Sequence, residues 1–345
     1  MNGYEALAAK VRAMYGKRLR MEDYQHISTL PSETAVLNYL RVHPGWKRAL
    51  GQVTDTVVDR PRLETLLLDE LREEYVALNH YVPREDKFVL SFPVMLCELN
   101  EILAALRRLA AKGRVKPGIA IPPNFLLHSK LDYAALNQCT DYNGLAAAAR
   151  ETIFGPPLRL FRPVEGRMLP EYTATEVLLR STYYSALYRH SSRHYAGETQ
   201  KVLLRSLGQQ VDLLNVTHIL RLKRYFPEDS RYLSSLFPFN DRLKPEFIQA
   251  MLEAPDVDAV FALLAASPYA SVFADRDVPQ LEAYALRTFA RFNHRQLSSG
   301  PPSIYTAIAY LNLKDLELKA LINDIERVKY GAPFDPFLAR LATGV

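Results

Sequence analysis

A helical pattern that returns three times constrains this 345-residue chain more than any other feature. An acidic residue followed by apolar positions at helical spacing appears as Glu98-Leu99-x2-Ile102-x3-Leu106-Arg107, as Asp212-Leu213-x2-Val216-x3-Leu220-Arg221, and as Glu317-Leu318-x2-Leu321-x3-Ile325. The anchoring carboxylates lie 114 and 105 residues apart. An acidic-aromatic marker keeps step with them: Tyr133 of Asp132-Tyr133 lies 26 residues after Arg107, and Phe247 of Glu246-Phe247 lies 26 after Arg221. Near the N-terminus Val11-Arg12 takes the place of Leu106-Arg107, and Tyr24 of Asp23-Tyr24 follows 12 residues after Arg12. Such self-similarity is the mark of tandem units. It predicts three helical modules, 1–112, 113–225 and 226–345, with the C-terminal helix closing the third. The breaks fall at Lys112 to Pro123 and at Phe226 to Phe239.

Helical periodicity dominates elsewhere too. Leu7, Val11 and Met14 share a face within Tyr4 to Arg18, and Leu66, Leu67, Leu71 and Tyr75 do so within Arg62 to Leu78, where Asp69, Glu70, Glu73 and Glu74 take other positions. Val177 to Tyr188, Lys201 to Arg224, Leu281 to Phe292 and Ile304 to Tyr330 continue the pattern, and no alternating strand with a hairpin turn stands out. The expected fold class is all-α. Ser32, Asp141 and Asp256 follow the three markers at matching distances, and a short oxygen side chain there can accept from free helical N–H groups. They predict helices at Glu33 to Leu40, Tyr142 to Arg150 and Val257 to Ala266, each closed by proline or glycine.

The chemical inventory excludes most enzyme classes. The sequence lacks a phosphate-binding loop, a dinucleotide fingerprint and a nucleophile elbow, and two cysteines cannot build a cysteine-rich zinc site. His190 and His194 have a spacing usable for metal but no accompanying glutamate, so a solvated helix face accounts for them. Asp256 with Asp258, and Glu73 with Glu74, read as capping and helix-surface residues rather than acid-base pairs. No catalytic residue, metal or cofactor, and no small-molecule substrate, is expected.

The basic clusters Lys17-Arg18-x-Arg20 and Arg221-x-Lys223-Arg224 sit at helix ends, where they complement the dipole. With a net charge of only +5 they do not make a nucleic-acid groove. Cys97 and Cys139 lie among apolar or small residues, as buried thiols of a reducing compartment would. No apolar run of about 18 residues and no secretory signal is seen. Of the 20 tyrosines, the run Tyr172, Tyr183, Tyr184, Tyr188 and Tyr195 reads as core packing or as a docking surface. Trp46, the only tryptophan, reads as a core anchor.

The ends of the chain carry a family resemblance. The opening Tyr4-x4-Ala9-Lys10-Val11-Arg12-Ala13 and the ending Tyr310-Leu311-x2-Lys314-Asp315-x-Glu317, with Ile325 and Tyr330-Gly331, resemble the C-subunit family of V-type/A-type ATP synthases, whose V-type member is the d-type subunit. The likeness runs from Tyr4 to about Gly331, and departs where the family's C-terminal helix carries an Asn-Leu-Arg-like run and this chain reads Lys319-Ala320-Leu321-Ile322. The resemblance implies a funnel of three helical modules with pseudo-threefold symmetry. It further implies a non-catalytic connector on the cytoplasmic face of the membrane, between the D- and F-type central-shaft subunits and the proteolipid rotor ring. Such a connector would couple ATP hydrolysis or synthesis to proton or sodium transport. Tyr4, Lys10, Arg12, Lys314 and Glu317 are its candidate partner-contact or family-motif positions. A helical-repeat scaffold unrelated to a rotary motor is the other reading of the repeats.

Overall fold

Helices account for all the regular structure that the repeated spacing leads one to expect. In the computed structural model, residues 3–51, 53, 54, 58, 60–111, 121–226, 237 and 240–344 are described, and no strand occurs among them. The fold is all-α. Most of both inter-module breaks lies outside the described residues.

In chain order the helices are α1 (Glu5–Tyr15), α2 (Met21–Ile27), α3 (Glu33–Val42), α4 (Lys47–Leu50), α5 (Arg60–Asn79), α6 (Lys87–Leu90), α7 (Phe92–Ala110), α8 (Pro123–Leu126) and α9 (Tyr133–Gln138). They continue as α10 (Tyr142–Ala148), α11 (Gly155–Leu160), α12 (Tyr172–His194), α13 (Gly197–Tyr225), α14 (Pro245–Glu253), α15 (Val257–Ala265), α16 (Leu281–Ser299), α17 (Ile304–Tyr330) and α18 (Pro336–Thr343). The three expected caps form: Ser32 accepts from Ala35 N–H, Asp141 from Gly144 N–H and Asp256 from Ala259 N–H.

Two compact units divide the chain. Unit 1 comprises Met1–Leu90, Ile119–Leu127 and Phe289–Val345; unit 2 comprises Ser91–Gly118 and His128–Thr288. In unit 1, α17 is the central element and packs against α1, α2, α3, α5 and α18. Its start is fixed by Ser303, whose Oγ accepts from Tyr305 N–H while Thr306 Oγ1 accepts from Ser303 N–H, and its end by Gly331 in the left-handed conformation (φ 63°). The sequence pattern assigns α17 to the third module; its neighbours are the N-terminal helices. Nearby, His294 fastens α18, with Nε2 2.7 Å from the Leu341 carbonyl and Nδ1 2.9 Å from the Tyr15 hydroxyl. The carbonyl needs a donor, so Nε2 carries the proton and Nδ1 accepts from the tyrosine, and burial lowers the pKa of this neutral ring.

In unit 2, α12 packs on α13 and α7, and α10 on α7, α9 and α11. One core cluster there joins Leu213, Val216 and Leu220 of α13 to Met251 of α14 and to Val260, Phe261 and Leu264 of α15. Of the tyrosine run, Tyr183 is buried and stacks edge-on with Tyr184 at 5.0 Å, while the others are half-buried. Cys97 and Cys139 are free thiols and half-buried rather than enclosed.

Candidate functional site

Each anchor of the repeat does the same physical work. Glu98 accepts from Lys130 N–H (2.9 Å) and the Ser129 hydroxyl (2.7 Å), in the loop ahead of the Asp132-Tyr133 marker. Asp212 accepts from the N–H groups of Asp241, Arg242 and Leu243 at 3.1, 2.8 and 3.3 Å, ahead of Glu246-Phe247. Glu317 accepts from Leu19 N–H (3.1 Å), ahead of Asp23-Tyr24. A buried carboxylate thus satisfies backbone donors that would otherwise be stranded in a turn. After each capped helix comes a second matching turn. His43 Nδ1 accepts from Gly45 N–H, Thr152 Oγ1 from Phe154 N–H and Ser267 Oγ from Tyr269 N–H, and each turn delivers a fully buried aromatic: Trp46, Phe154 and Tyr269. Trp46 is therefore the core anchor expected of it.

The copy in unit 1 differs because its anchor is half of an ion pair. Lys314 Nζ lies 2.7 Å from Glu317 Oε1 and 3.8 Å from the centre of the Trp46 ring, with both charged side chains almost fully enclosed. Tyr310 hydroxyl, one turn earlier on α17, donates to Glu74 on α5 (2.8 Å), and Arg48 reaches Glu70 at 3.3 Å. Burial would lower the Lys314 pKa, but the carboxylates Glu317, Glu74 and Glu70 outweigh it and the net shift is upward. Burial, reinforced by Glu74, pushes Glu70 up to about 7. The sequence pattern places Glu70 and Glu74 at the helix surface; they are 2 % and 6 % exposed, and the polar chain of Tyr310, Lys314 and Glu317 is what makes their burial tolerable.

This polar network floors a recess with about 150 Å³ of free volume, whose rim includes Lys10, Lys17, Arg18 and Arg48. The rim is held by a close backbone approach: a Cβ on Gly45 would lie 2.4 Å from the Lys17 carbonyl oxygen, so only glycine fits there. Of the candidate positions, Lys10, Lys314 and Glu317 meet at the recess. Tyr4 instead bonds Asp86 through its hydroxyl, and Arg12 is exposed on α1. Arg18 Nη1 donates to the Tyr15 carbonyl at the end of α1, as its helix-end position implies. In unit 2, Lys223 caps a different helix from its own, donating to Leu252 and Ala254 carbonyls at the end of α14.

His190 and His194 stack face to face, with ring centres 4.1 Å apart, and no cluster of metal-ligating side chains occurs among the described residues. No single described helix is long and apolar enough to cross a membrane; only Arg84–Leu90 and Phe92–Ala110 taken together meet that test.

Known proteins are similar to this chain in sequence. The chain is 23% identical over 345 aligned positions, covering 94% of it and 83% of the relative, to the C subunit of the A-type ATP synthase of Methanosphaera stadtmanae. It is 28% identical over 184 positions, 48% of this chain and 46% of the relative, to the C subunit of the A-type ATP synthase of Methanobrevibacter smithii. The model of the ATP synthase (C/AC39) subunit family matches residues 7–335, from the first buried leucine of α1 to the cap of α18. With nearly the whole chain matched, this protein belongs to the ATP synthase (C/AC39) subunit family.

Proposed function

We propose that this protein is the non-catalytic central-stalk connector of a V-type/A-type rotary ATPase. It receives the D- and F-type shaft subunits, rests on the proteolipid ring at the cytoplasmic face of the membrane, and transmits the torque that couples ATP turnover to proton or sodium movement. The family match over residues 7–335 carries this reading. Physical features support it. A torque-bearing spacer needs stiffness, and helices with closely packed interiors resist deformation better than loops. Buried ion pairs and carboxylate-held turns add directional restraints to that packing.

Three modules built on the Glu98, Asp212 and Glu317 anchors, arranged as a funnel, belong to the same proposal. Lys10 and Arg12 are then its partner-contact positions, whereas Tyr4, Lys314 and Glu317 are family-motif positions that hold the fold. The test is purification of the C-terminally tagged chain from membranes of its native host in mild detergent. Proteolipids, shaft and nucleotide-binding subunits should elute with it. Recovery alone, or with unrelated proteins, from cells that contain an intact rotary ATPase would overturn the connector in favour of a helical-repeat scaffold.

A further inference from the structure

The recess in unit 1 carries more positive charge than its own carboxylates can use. Among the described residues, five cationic side chains line it against three carboxylates. Lys314 is paired with Glu317 and Arg48 with Glu70, while Glu74 accepts from the Tyr310 hydroxyl. Lys10, Lys17 and Arg18 have no carboxylate within ion-pair distance among the described residues. Lys10 lies over the Tyr81 ring and Lys17 is exposed. Arg18 lies over the Tyr15 ring, with Cζ 3.9 Å from its centre, and its Nη1 donates to the Tyr15 carbonyl. A guanidinium held in place by a ring and a carbonyl is pre-organised for a planar or tetrahedral acceptor. The Gly45 approach holds the Lys17 backbone beside the recess.

We propose that this recess binds an oxyanion, a carboxylate or phosphate group, which Arg18 orients and Lys17 and Lys10 neutralise. The free volume of about 150 Å³ accepts such a group together with residual water. The shared chemistry has two sources, a free phosphate and an acidic side chain of a partner protein. The proposal does not rest on the connector reading, because the isolated full chain is sufficient to test it.

The experiment is calorimetric titration of the full chain at pH 7 with sodium phosphate, and separately with an end-blocked tetrapeptide of aspartate and glutamate, each against sodium chloride of equal ionic strength. Saturable binding of either probe is expected, weakened about tenfold in Lys17→Ala and in Arg18→Gln, as loss of one charge-assisted contact requires. Lys17 is exposed beyond the end of α1, so its variant keeps the fold, checked by an unchanged helical circular dichroism spectrum. Lys201→Ala, an exposed cation on α13, should bind as the parent does, which separates a site from general attraction to a basic protein. Binding of phosphate alone identifies a free anion, and of the peptide alone a partner's side chain. Absence of saturable binding by both probes, or binding that the Lys17 and Arg18 variants leave unchanged, overturns the proposal.

Discussion

Asp212 in unit 2 and Glu317 in unit 1 hold the same place in the repeat but are satisfied by different chemistry. Asp212 takes three backbone N–H groups and the Tyr269 hydroxyl, at 2.8 Å, all neutral donors. Glu317 takes one backbone N–H and a buried ammonium. The Asp212 arrangement gathers a loop around a carboxylate, and the Glu317 arrangement adds a charge that must itself be compensated. An invariant task, holding a turn, is thus compatible with opposite electrostatic solutions. The ionic solution draws Glu70 and Glu74 into the interior with it.

The largest effect should come from Asp212→Ala, which strands four donors. At about 1–3 kcal/mol for each unsatisfied buried group, chemical denaturation should show a loss above about 4 kcal/mol or failure to fold. A loss below about 1 kcal/mol would mean that water replaces the carboxylate and that the anchor is not the organising feature.

Glu317→Gln is expected to cost about 3–5 kcal/mol, because it leaves Lys314 buried without its nearest counter-charge. Combining it with Lys314→Met should recover much of that loss. A double variant no more stable than Glu317→Gln would break the distinction between the two anchors.

Glu70, drawn inside with the ionic anchor of unit 1, gives a pH signature of its own. Its pKa rises on folding from 4.5 to about 7, so the native state holds the proton more tightly, and stability falls as pH rises through that window. Glu70→Gln should therefore be stabilised by about 1–3 kcal/mol at pH 8, with the gain vanishing below about pH 4.5. A constant difference across pH in thermal melts would refute that origin.

The smallest effects, about 1 kcal/mol each, are expected for Ser32→Ala, Asp141→Ala and Asp256→Ala, because the same cap is lost in either unit. A marked inequality would show that the units differ in more than their anchors.

The elements governed by local rules were legible in the sequence. Ser303 and Gly331 bound α17 at the residues the pattern assigns, and the three caps start their helices where Ser32, Asp141 and Asp256 stand. The recess was not legible. Periodicity treats an acid as a solvent-facing residue, yet Glu70 and Glu74 continue the buried stripe of Leu63, Leu67 and Leu78 at spacings of three and four. That stripe, set beside Tyr310, Lys314 and Glu317 at the same spacing on α17, was the available signal. It becomes compelling only when the two helices are known to face each other. Lys10 and Glu317 stand 307 positions apart in the sequence, and only the fold brings both to one recess.

The Leu19–Glu317 hydrogen bond spans 298 positions, whereas the Glu98 and Asp212 anchors reach the donors of their turns 29 to 32 positions away. On a ribosome adding about 5–20 residues each second, the first turn must wait roughly 15–60 s for its carboxylate to be made. Unit 2 can assemble its two anchored turns during that interval, while α1 and α2 have emerged with apolar faces and no α17 to cover them. A nascent chain of this kind would depend on chaperones early in its synthesis, and the emergence of α17 would end that dependence.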